Sequence, residues 1–146
     1  MATACEEVSR EMALVPEGVV PAYRFARTVV MRVPLWAYEL FSSADHVDPV
    51  LEHEEKAAVF LPAEGLGLLK LVRRQDEPRS AYIMVGRVLR ALGVPWWPRG
   101  TRYFRAEICE FMRRRGLRVF FGREVRPDEL PAEEAEGEAR QGGACL

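Results

Sequence analysis

Arginines set beside aromatic rings are the residues of this chain whose types and spacing could do chemistry. The stretch VPWWPRGTRYFRAE (94–107) places Arg99, Arg102 and Arg105 next to Trp96 and Trp97. A guanidinium offers paired N–H donors to phosphate oxygens, and an indole face stacks on a nucleobase. The stretch therefore reads as a phosphate-binding edge, with Trp96 or Trp97 as a stacking platform. It also fits a plainer arrangement, in which the tryptophans cap a core and the arginine stems cover its rim. At least one of the two tryptophans is expected to do the latter. RRRGLR (113–118) adds Arg113, Arg114 and Arg115 at a basic bend. Such a bend can rest on phosphates or keep sheet edges from pairing. LVRRQ (71–75) supplies Arg73 and Arg74, with Gln75 as a candidate reader of base edges.

Other chemistries find less to work with. ADHVDPVLEHEE (44–55) gathers both histidines among carboxylates, which are metal-ligand types. It has neither H-x-x-x-H nor H-E-x-x-H spacing, and Pro49 interrupts it, so a solvated acidic loop is expected and no metal. Cys5, Cys109 and Cys145 form no C-x-x-C pair and indicate no disulfide framework, and Cys109 is expected in the core. There is no Gly-rich phosphate loop and no G-x-S-x-G, and Ser42, Ser43 and Ser80 read as turn and helix-start residues. The expectation is a protein that is not an enzyme and takes no cofactor.

The net charge of −1 hides a segregation. Residues 1–65 carry five basic and 11 acidic side chains, residues 66–126 carry 15 basic and five acidic, and residues 127–146 carry one basic and six acidic. A basic middle of +10 between acidic flanks exceeds what solubility requires and implies an anionic partner. No apolar run approaches the ~20 residues of a membrane span. The opening MATACEEVSRE lacks a basic-then-apolar leader, which favours the cytoplasm.

The elements that would hold these residues follow from periodicity. Residues 4–14 read as a short helix before the breaker VPEGVVP, and AYRFARTVVMRV (22–33) alternates as a strand. Pro34 opens a short helix with Leu35, Tyr38 and Phe41 at i, i+3 spacing. PVLEH and KAAVFLP make a tight strand pair. A second run follows: GLGLLKLVRRQ and SAYIMV as strands, then GRVLRALGV as a helix stopped by Gly93. A final hairpin is TRYFRAEIC and LRVFFG around FMRRRG. The two runs superpose, VPLWAYELF on VGRVLRALG at an offset of 52 and KAAVFLP on GLRVFFG at an offset of 60. Four divisions result: a helix and linker (1–21), unit one (22–64), a basic unit two (65–126) and an acidic, disordered tail (127–146). The tail serves either to solubilise or to lie across the basic middle.

A strand, then Pro or Gly, then a short helix ending near LG, then a hairpin, resembles the swapped-hairpin family of AbrB-type, SpoVT-type and MazE-type proteins. The edges VMRVP and MVGR and the helix LRALGV carry the resemblance, over roughly residues 24–62 and 79–122. It implies two fused units in one interlocked α+β body, a pseudo-dimer within one chain or a homodimer. It also implies binding of duplex DNA through arginines of first strands, adjoining loops and helix starts. Matching positions are Arg24, Arg27 and Arg32 in unit one, and Arg79, Arg87 and Arg90 in unit two. Unit one departs from the pattern, because it is acidic and SSADHVDP replaces the turn after its helix.

The expected fold is thus α+β, tandem strand-helix-hairpin units forming a mainly antiparallel body. The expected function is regulatory DNA binding, as in transcription regulation, through Arg73, Arg74, Arg79, Arg87, Arg99, Arg102, Arg105 and Arg113 to Arg115. The alternative is a protein-interaction module, antitoxin-like or an accessory of a phage or mobile element, whose basic face meets an acidic protein. No membrane partner is expected.

Overall fold

Short stretches rich in Val, Phe and Tyr become strands in the computed structural model, which describes residues 15–63, 67–74, 76–77 and 79–130. They are β1 (Val19–Arg24), β2 (Val29–Arg32), β3 (His46–Glu52), β4 (Ala57–Ala63), β5 (Leu69–Val72), β6 (Tyr82–Met84), β7 (Gly100–Phe111) and β8 (Arg114–Val125). They close into one barrel in the order β1-β2-β6-β5-β3-β4-β8-β7, with all neighbours antiparallel. One α-helix, α1 (Gly86–Ala91), and two 3-10 helices, Leu35–Phe41 and Pro127–Glu129, are the helical elements of the described residues.

This overturns the α+β expectation of tandem strand-helix-hairpin units. Local alternation reveals that a segment is extended but not which segment it pairs with, and the pairing here interleaves the two halves. Within the halves lie the seams β1–β2, β3–β4, β5–β6 and β7–β8, whereas β2–β6, β3–β5, β4–β8 and β1–β7 join one half to the other. The sequence stretch 22–33 is also two strands. It folds back where Phe25 N–H donates to the Thr28 carbonyl at 2.9 Å. The expected helix after Pro34 winds as 3-10, burying Ala37 and Phe41 while Leu35 stays 42% exposed. The helix read over residues 4–14 and residues 131–146 of the tail read over 127–146 lie outside the described residues, while the tail's first residues, Pro127–Glu129, form a 3-10 turn and not the expected disorder.

Exchanging β1–β4 for β5–β8 leaves the list of neighbours unchanged. The register repeats the relation. Met31 lies opposite Ile83, and the Val33 N–H donates to the Ala81 carbonyl (2.8 Å) as the Val85 N–H does to the Val29 carbonyl (2.9 Å). In each case the equivalent residues differ by 52 positions. Because β2 and β6 run antiparallel, the 3-10 helix leaving β2 and α1 leaving β6 close opposite ends of the barrel. Ala37 and Phe41 plug one end, and Val88, Leu89 and Leu92 plug the other.

The interior is filled by side chains. Trp97, Phe104, Phe121 and Phe60 form a run of tilted and edge-on rings with centroids 5.7, 5.3 and 6.3 Å apart. Such geometry is worth about 0.5–1.5 kcal/mol per pair beyond area burial. Gly93 ends α1 at φ 73, with the Val94 N–H donating to the Leu89 carbonyl and the Gly93 N–H to the Arg90 carbonyl. That is a Schellman stop, and Gly93 meets its backbone requirement.

The β7–β8 hairpin turns through two residues, Met112 (φ 48) and Arg113 (φ 68), both left-handed. Type I′ turns have this backbone and favour Asn-Gly, since an L side chain there costs about 1–2 kcal/mol. At the other end of the hairpin the register jumps from Phe104 opposite Glu124 to Arg105 opposite Phe120, a bulge that bends the ribbon. No helix among the described residues is long and apolar enough to cross a membrane.

Candidate nucleic-acid interface

Two acid-free stretches meet at one end of the barrel. Between Glu17 and Glu39 there is no carboxylate side chain, nor between Glu77 and Glu107. The first stretch delivers the β1–β2 turn; the second delivers α1, the loop 92–99 and the start of β7. Their meeting is fixed by backbone and side-chain bonds. Arg24 lies opposite Gly100 across the β1–β7 seam, its Nη1 donates to the Trp97 carbonyl at 3.0 Å, and the Trp96 Nε1–H donates to the Gly86 carbonyl at 3.1 Å.

Trp96 organises this end. The guanidinium of Arg90 lies 4.2 Å from its ring centroid and that of Arg24 lies 4.8 Å away. Each contact is worth about 0.5–2 kcal/mol depending on its desolvation. Arg24 is further tied to the β1–β2 turn by bonds to the Phe25 and Ala26 carbonyls, at 2.6 and 3.3 Å. Around this pair stand Arg27, Arg87 and Arg99, all exposed and without an ion pair among the described residues. Arg102, the third residue of β7, has its guanidinium 5.4 Å from the Trp97 ring and is paired at 3.2 Å with Glu124.

The residues expected from sequence thus divide. Arg87, Arg99, Arg102 and Trp96 come together at this end. Trp97 lies beside them but is only 3% exposed, its Nε1–H donating to the Gly100 carbonyl at 2.8 Å. It is a core residue whose ring no base can reach. Arg105 sits further along β7 at 4.0 Å from Glu129. Both β7 pairs are about half exposed, and such pairs contribute roughly 0–1 kcal/mol, so a phosphate can displace the carboxylate.

Arg73 is occupied with structure. It donates to Tyr38 Oη (2.9 Å) and to the carbonyls of Phe41 (2.5 Å), Ser42 (3.3 Å) and Ala44 (2.9 Å), clamping the end of the 3-10 helix. Arg74 lies between Asp76 (3.2 Å) and Glu77 (3.6 Å), and the charge of Asp76 raises its pKa above the usual guanidinium value. Arg79 is exposed beside them at φ 55. Gln75 lies outside the described residues. Arg113, Arg114 and Arg115 sit at the far end of β7, whose 12 residues span up to ~36 Å at ~3.3 Å each.

In the sequence Arg24 and Arg90 stand out only through the family resemblance, and nothing local marks them as ring partners of Trp96. Arg32 belongs to no interface. It is 2% exposed and bound to Glu77 Oε1 (2.6 Å) and Tyr82 Oη (3.0 Å).

The acidic residues occupy other places. His46 opens β3 and His53 follows its end, so strand length separates them, and no group of three or more His, Cys, Asp or Glu among the described residues could hold a metal ion. Glu52 takes a two-pronged bond from Arg118 (2.8 and 3.3 Å), which raises the arginine's pKa. Cys109 is partly buried on β7, and burial pushes its thiol pKa up despite the nearby Arg118. Compared with family models, curated proteins and solved structures, the chain matches none.

Proposed function

We propose that this chain is a small regulatory protein that binds duplex DNA by its phosphates, through the end of the barrel gathered around Trp96. The observation that carries the reading is the convergence of two acid-free stretches on one surface. Arg27, Arg87 and Arg99 face solvent there and make no ion pair among the described residues. Arg24 and Arg90, held on the indole, stiffen the rim and add charge. Guanidiniums in this setting contact phosphates and fix orientation; they carry no sequence information themselves.

Fluorescence anisotropy with mixed-sequence duplex DNA over a salt series tests this. Each neutralised phosphate adds about 0.9 to the slope of log affinity against log salt. The double variant Arg87→Ala with Arg99→Ala is expected to lower that slope by about 2 while leaving the fold intact. An unchanged slope removes this end from the interface. Failure of the full chain to bind DNA, with a stoichiometric protein partner that survives nuclease, would replace DNA by an acidic protein surface.

A further inference from the structure

The β7–β8 hairpin tip combines three features that its role in the barrel does not require. Its two-residue turn is built from Met112 and Arg113, both at positive φ, where glycine or asparagine is the unstrained choice. Strained backbone of this kind clusters at active sites, ligand clamps and switch regions. Met112 is 83% exposed, more than any other large hydrophobic side chain described. Around it stand Arg113, Arg114 and Arg115. Arg114 Nη2 donates to the Pro62 carbonyl at 2.6 Å, which ties the tip to β4. Arg113 and Arg115 have no ion pair within 4.0 Å among the described residues, though Glu110 lies opposite Arg115 in the register.

From this juxtaposition we infer that Met112 is an apolar wedge that the arginine-flanked hairpin inserts into the minor groove of bound DNA. The inference rests on the DNA-binding reading above and adds a second point of contact to it. A two-stranded tip crowned by one unbranched side chain is narrow, and the minor groove is only ~6 Å wide. Arginines are drawn to the groove's negative potential, and methionine is among the side chains that part base steps and kink the duplex. A lipid surface is the weaker match, because one methionine buries too little apolar area to hold a protein on a bilayer.

The test uses the full chain and a duplex of ~24 base pairs, which at ~3.4 Å per pair leaves ~40 Å on either side of its centre, enough to reach both contact points. It carries 2-aminopurine at a central TA step, the kind of step that unstacks most easily. M112G suits the left-handed backbone, so the hairpin persists without its wedge. Binding of the natural chain is expected to raise 2-aminopurine fluorescence. M112G is expected to bind within ~5-fold of the natural affinity, since the arginines remain, but without that rise. Binding by the natural chain with no rise overturns the wedge and leaves the DNA-binding reading standing; so does a rise that persists in M112G. Loss of all DNA binding in the natural chain sinks both, and methionine-dependent binding to phosphatidylserine vesicles would then assign the tip to lipid.

Discussion

Gly86 shows how one absent methyl group makes room for the indole of Trp96. A Cβ added there would stand 2.6 Å from Trp96 Cζ2 and 3.1 Å from Thr28 Oγ1. Alanine gains up to ~1 kcal/mol in helix propensity over glycine, but overpacking costs about 1–3 kcal/mol, so the clash wins. Gly86→Ala is expected to lower stability by about 1–2 kcal/mol in urea unfolding. It should also shift tryptophan emission and weaken DNA binding, because Arg24 and Arg90 rest on the ring that must move. Unchanged emission would mean that the indole does not contact α1. At this scale the sequence was legible in part. The types at 94–107 announce arginine against aromatic rings, and the structure distributes them, Trp97 inward and Trp96 on the rim. Nothing in WW says which ring goes where, since that depends on which loop closes over which barrel end.

Among the elements, the stretches 49–62 and 101–122 could be read as hairpins because each carries its own turn and its own alternation, whereas His46–Asp48, read as part of an acidic loop, belong to β3. Gly93 announced the end of α1 for the same local reason. The 3-10 winding of residues 35–41 was not legible, because Leu35, Tyr38 and Phe41 at i, i+3 suit either helix type. Seam positions were not legible either. β4 and β8 meet tightly at Gly116, where an added Cβ would lie 2.7 Å from Leu61 Cδ2 and 2.9 Å from the Phe60 carbonyl oxygen. The second of these is backbone and cannot rotate away. Gly116→Ala is therefore expected to cost about 1–3 kcal/mol by denaturant midpoint. The loss should appear together with opening of the β4–β8 seam in amide exchange at Phe60 and Leu117. Full stability in that variant would show that the two strands do not approach as closely as described.

For the whole molecule, the charge segregation was readable from composition and the closure of the barrel was not. The offset of 52 picks out residues that lie opposite one another in β2 and β6, but a repeat in sequence is silent on whether its copies stand side by side or interlock. They interlock, with four of eight seams crossing between halves. A chain ending after Ala63 keeps only the β1–β2 and β3–β4 seams, and isolated two-stranded hairpins are marginal in water. Neither it nor its complement is expected to fold alone. Mixed together, the two pieces should regain the near-ultraviolet circular dichroism of the buried rings. Independent folding of either piece would contradict the interleaved order.

The alternation of seams also sets a schedule at the ribosome. β1 finds β2 at once, but its other neighbour, β7, emerges roughly 80 residues later, which is ~4–16 s at ~5–20 residues per second. Once β5 and β6 emerge they can bridge the two first-half ribbons into an open sheet β1-β2-β6-β5-β3-β4, but its outer strands β1 and β4 keep bare hydrogen-bonding edges until β7 and β8 arrive. The nascent chain is consequently most vulnerable to sticking to its neighbours in the interval before its last hairpin clears the exit tunnel.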